Sequence, residues 1–138
     1  MLSILPALTL RLQSIPALAG WDVRNNIEPA NRSALPAADV RCARARVADR
    51  KTGAVMLSPE WTVTLVLRRA ADAAAVLDEA LAAVLAELHG WSPGQHGGRG
   101  WERLSLLDVS EPDFFDEGLA GYTLTFGTAA MYRGEEQQ

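Results

Sequence analysis

The run WTVTLVLRR, residues 61–69, puts Trp61, Val63, Leu65 and Leu67 on one side of an extended chain and Thr62, Thr64, Val66 and Arg68 on the other. Two-residue alternation rich in β-branched side chains marks a strand. Almost at once the period changes. From Asp72 to His89, the residues Val76, Leu77, Ala80, Leu81, Val84, Leu85 and Leu88 fall on one helical stripe within an alanine- and leucine-rich segment. Asp72 is the expected N-cap and Gly90 the stop. Docked on a sheet, that stripe is worth ~10 kcal/mol before entropy, at ~1.5–3 kcal/mol per large side chain. The helix therefore needs a sheet to lie on, and the strand before it supplies one.

The remaining segments extend the same layer. Leu5, Leu8, Leu12 and Ile15 make one helical face, so a first helix is expected from Leu2 to about Ser14, ended by Ile15-Pro16. The apolar opening stretch closes with Ala17-Leu18-Ala19, just before Gly20, and so imitates a signal-peptidase site. No positive charge precedes the apolar part, however, and Arg11 interrupts it, so a structural helix is the preferred reading. Trp21 to Arg24 reads as a short strand and Asn25 to Ala38 as a loop. Asp39 to Asp49 reads as a strand with Ala43, Ala45 and Val47 on one face and Arg44 and Arg46 on the other. A polar turn around Gly53 follows. Trp101 to Val109 and Ala120 to Tyr132 are two further expected strands. In the second, Tyr122, Leu124 and Phe126 oppose Thr123 and Thr125. The order predicts an α+β fold, a mixed or antiparallel β-sheet with helices packed on one face. With 138 residues, no repeat and no long linker, residues 1–138 read as a single domain, with 133–138 as a flexible tail.

Charge and cysteine content narrow the chemistry. A net charge of −4 gives nothing that draws the whole protein to nucleic acid. Cys42 is the only cysteine, which fits a reducing compartment, and with His89 and His96 it completes the soft ligands, too few for a zinc site. No segment reaches the ~20 uninterrupted apolar residues of a membrane span, so no membrane partner is expected.

Three stretches are candidates for function. HGWSPGQHGGRGW, residues 89–101, holds both histidines and five glycines. It lacks the lysine and hydroxyl that complete a phosphate loop, and no helix follows it. Trp91 and Trp101 are expected to pin its ends while its tip stays loose. Either it is a solvent loop without a role, or a partner orders it through Gly94, Gln95, His96 and Arg99. Arg41, Arg44 and Arg46 form the second stretch. They are either a solvated strand face or a surface for phosphates or for the acids of a neighbouring subunit. This chain itself offers Asp108, Glu111, Asp113, Asp116 and Glu117, the third stretch. Paired carboxylates can catalyse or bind calcium, but no EF-hand pattern is present, and Phe114 and Phe115 point to a packing or interface turn. No serine stands in a G-x-S-x-G context. No catalytic residue, cofactor or metal site is expected. The alternative, a small enzyme or ligand-binding domain using residues 89–101, requires a concave pocket near His96 and Arg99.

The apolar first helix, the strand pair, the long helix after LRR, the Gly-Trp stretch and the closing WERLSLLDVSEPDFFDEGLAGYTLTFGT form a series that resembles the tail terminator, or tail completion, proteins of Mu-like and related tailed phages and prophages. The resemblance covers roughly Leu2 to Tyr132. It implies a non-enzymatic subunit that forms a hexameric ring on the head-proximal end of the tail tube. There it would stop tube polymerisation and present a surface to the head–tail connector. Its place would be the tail neck of the virion, reached from the host cytoplasm during assembly. The Arg44 and Arg46 face would meet a neighbouring subunit or the lumen through which DNA passes. Another neck or baseplate protein would share this texture.

Overall fold

The computed structural model of the chain describes residues 1–51, 53–114 and 116–133, with the backbone alone for 48–51. The alternating run read at residues 61–69 is the second half of a longer strand, β3 (Ala54–Arg68), which is the spine of the sheet. On one side it pairs antiparallel with β2 (Ala37–Lys51). On the other side two strands share its length. β8 (Ala130–Arg133) takes residues 54–57, and β7 (Leu119–Gly127) takes residues 60–68. Pro59, which has no N–H to give, sits where the ladder passes from β8 to β7, a break that tolerates it. β6 (Ser105–Ser110) adds to β7, and β1 (Asp22–Asn25) adds to β2 as the one parallel pair among the described residues. The strand order is β1-β2-β3-β7-β6.

Alternation decides which face is covered. Trp61, Val63 and Leu65 of β3 and Leu124 and Phe126 of β7 point to the same side and are buried. Against them lie α1 (Leu5–Gln13), entered through a 3-10 turn, and α2 (Ala73–Leu88), with Leu8, Leu12, Leu77, Val84 and Leu88 in the core. The fold is α+β with both helices on one face. Among the described residues no helix covers the opposite face, where Thr62 and Thr64 stand beside Thr125 and Thr123, the Thr64 and Thr123 hydroxyls 2.9 Å apart.

The structure differs from the expected elements at defined points. Asp72 occupies the N-cap position, but its side chain caps nothing, because its φ of −95° and ψ of 0° do not swing it over the first amides. Gly90 ends the helix with φ +82°, and its N–H bonds Leu104 O at 2.7 Å. The strand expected from Trp101 to Val109 is two. β5 (Arg99–Trp101) ends where Glu102 N–H turns to Ala129 O and Leu104 N–H to Trp91 O, and β6 begins after them. The strand expected from Ala120 to Tyr132 also breaks, at Thr128, whose hydroxyl donates to Glu102 O. Arg133 is the last residue of β8 and so not part of a tail; residues 134–138 lie outside the described residues, as does Phe115.

Candidate functional site

Charge on the open face is built by β2. Two register shifts, between Cys42 and Arg44 and between Val47 and Asp49, interrupt its pairing with β3. The first leaves Ala43 in a bulge and exposed, so it does not share a face with Ala45 as alternation alone predicts. It also sets Arg44 opposite Glu60 and Arg46 opposite Ser58. Both guanidinium groups reach the Glu60 carboxylate, at 3.2 Å from Arg44 and 2.9 Å from Arg46. The hydrogen bond from Arg46, seconded by Arg44, holds Glu60 below the ordinary carboxylate range against the opposing effect of burial. Two cations on one carboxylate leave a positive remainder, carried on side chains 59% and 64% exposed.

A lowered folded-state pKa means that the Glu60 contribution is present above the unfolded value of 4.5 and is lost as pH falls through the lower folded value. Glu60→Gln should therefore be modestly less stable than the parent at neutral pH. The two should converge as pH drops from about 5 towards 3, a range set by carboxylate titration. Urea unfolding across that range checks this.

The third arginine of the strand, Arg41, turns the other way along β2, to Asp39. That carboxylate also takes Arg32 at 3.1 Å and lies 3.9 Å from Arg24. Arg24 in turn donates to Asn31 O and Ala34 O, and the Asn25 side chain accepts from Ile27 and Glu28 N–H. The polar segment after β1 is thus wound around buried arginine and asparagine. Beside it is a groove of about 620 Å³ whose walls include Arg41, Asp113, Phe114 and Asp116. A second groove of about 670 Å³ holds Arg44, Arg46, Glu60, Leu107 and Asp108. Basic strand and acidic segment therefore line common grooves, without an ion pair between them among the described residues.

The acidic turn has local duties. Asp116 accepts from Gly118 N–H at 2.8 Å, Glu117 O accepts from Arg69, and Phe114 lies over Gly121.

The glycine-rich stretch is not the open loop expected. It is a two-stranded hairpin of β4 (Gly94–His96) and β5. Gly97 and Gly98, with φ +63° and +75°, are its two-residue turn, which needs positive φ at both positions. Trp101 is buried and donates from its indole to His96 O. Trp91 is half-buried under Arg11, whose guanidinium lies 5.2 Å from the ring centre. Arg99 stacks 3.6 Å over Tyr132, and Ser3 abuts Gly97. The imidazoles do not converge. His96 meets Pro93 O at 2.7 Å, while His89 Nδ1 accepts from Leu106 N–H at 3.0 Å, a strand-end contact that spacing did not reveal. The hollow beside Arg99 is about 250 Å³, and neither imidazole lines it. That is below the ~300–1,000 Å³ of ligand sites. Among the described residues no group of three histidine, cysteine, aspartate or glutamate side chains could hold a metal ion, and no helix is long and apolar enough to cross a membrane.

No family model and no curated protein matches the chain. Among solved structures, a chain of the "virion of native gene transfer agent (GTA) particle" is similar, with a TM-score of 0.66 over 91% of this chain and 92% of that one, at 19% identity. At that identity the likeness is one of fold, and it runs the length of both chains.

Proposed function

We propose that the protein is a structural component of a phage-like virion, and that its place there is the head-proximal end of the tail tube, where it terminates polymerisation. The observation that carries this reading is the fold shared, almost end to end, with a chain of a gene transfer agent virion. The surfaces agree with a protein that acts by contact. It has one helix-covered face, one polar strand face, and grooves in which the basic strand and the acidic segment both take part. In this reading copies assemble into a hexameric ring. Arg44 and Arg46 of one copy face the acidic side of the next, where Asp113, Asp116 and Glu117 lie, or line the channel that DNA traverses. The β4–β5 hairpin, with Gly94, Gln95, His96 and Arg99 at and beside its turn, contacts the tube or the head–tail connector. The test is electron microscopy of tails made without the protein. Overlong or headless tails are expected; tails of normal length joined to heads would refute the proposal.

A further inference from the structure

Among the described residues, two of the unpaired edges of the sheet match. One is the distal half of β2. β1 pairs only with residues 37–40, so beyond Val40 the outer side of β2 has no strand beside it among the described residues. The other is β6, bonded to β7 on one side only. Register assigns a face to each side chain. On β2, Arg44 and Arg46 lie opposite Glu60 and Ser58 on the open face, while Ala45 and Val47 lie opposite Pro59 and Leu57 on the helix face. On β6, Asp108 and Ser110 lie opposite Thr125 and Thr123 on the open face, while Val109 lies opposite Leu124 on the helix face. Each edge therefore shows charge on one face and an exposed valine on the other: Val47 is 53% exposed and Val109 40%.

We infer that β6 of one copy pairs antiparallel with the Arg44–Val47 edge of β2 of another, making one continuous sheet. The direction follows from the topology. β2, β3, β7 and β6 alternate in sense, so a rotation about an axis parallel to the strands brings β6 against β2 head to tail, with open face continuing open face. In that arrangement Val109 stands opposite Val47 and Ser110 opposite Arg46, which brings Asp108 to the diagonal position beside Arg46, within reach of a guanidinium that Glu60 alone does not neutralise. Exposed edges normally resist pairing through bulges and charge. Here the bulges delimit short regular stretches, Arg44–Val47 on one edge and Asp108–Ser110 on the other, and the charges are opposite in sign. His89 already occupies the Leu106 N–H at the root of β6, which leaves the stretch beyond it for the partner. The interface deepens the ring reading above by naming its contact, although the edge pairing itself requires neither a tail nor six copies.

Two single-cysteine chains test it, Val47→Cys and Val109→Cys, each on a Cys42→Ser background. Paired-strand spacing falls within disulfide reach. Mixed in equal amounts at high concentration and oxidised, they should give the mixed 47–109 dimer in at least fivefold excess over either homodimer. Adding Asp108→Arg to the second chain should cut that yield several-fold, with circular dichroism confirming that it folds. Monomers only, or homodimers in excess, would overturn the inference. The tail phenotype is read separately. A mixed dimer with normal tails keeps the edge pairing and sinks the terminator reading; aberrant tails without the mixed dimer do the reverse.

Discussion

Phe126→Ala should lower the unfolding free energy by about 3–5 kcal/mol, the range for truncating a buried aromatic. Phe126 has no exposed surface and stands beside Trp61 across the β3–β7 ladder, in the middle of the face that α1 and α2 cover. The loss is a large part of the ~5–15 kcal/mol that stabilises a domain of this kind. Urea denaturation should show a lower midpoint at an unchanged slope; a shift worth less than about 1 kcal/mol would mean that the core repacks around the hole.

Gly121→Ala should be nearly as damaging, on the order of 3 kcal/mol, although it adds only one methyl group. A Cβ at Gly121 would overlap the Leu65 carbonyl oxygen on the neighbouring strand and crowd the Phe114 ring. The first obstacle is backbone held in a central ladder, so β3 and β7 must separate locally. Gly127 provides the contrast. There an added Cβ meets Leu107 Cδ1 at 2.9 Å, and Leu107 is 56% exposed and free to swing away. Gly127→Ala should cost under about 1 kcal/mol, as surface substitutions do. Equal losses at the two sites, measured by the same denaturation, would contradict this account.

These two positions also show what could and could not be read from the chain alone. Phe126 was legible, because alternation with Thr123 and Thr125 assigns its side, just as helical spacing assigns Leu5, Leu8, Leu12 and Ile15. Gly121 was not, because its need arises from β3, which is distant in sequence. The same holds for Glu60. It meets Arg44 and Arg46 only because a one-residue bulge at Ala43 resets the register, and bulges leave no periodic trace. The β4–β5 hairpin had a signal in Gly97-Gly98, a pair suited to a two-residue turn, but its short strands lack apolar alternation. What fixes them, Ser3 and Tyr132, comes from the two ends of the chain. Of the candidate surface residues, Asp113 and Asp116 share a groove with Arg41, while Arg44 and Arg46 already have a partner in Glu60.

The division of one flank of β3 between β7 and β8 has a consequence for biogenesis. Both strands follow α2 and the glycine hairpin in the chain, so a nascent polypeptide carries β3 with that flank bare while everything between is translated at about 5–20 residues per second. During those seconds the flank is a template for any extended segment nearby. Docking of α2, which precedes β7 and β8 in the chain, would shield only the apolar face of the strand and leave its amides open. Yield in the producing cell should therefore depend on translation speed between codons 69 and 119 more than on the stability of the finished fold.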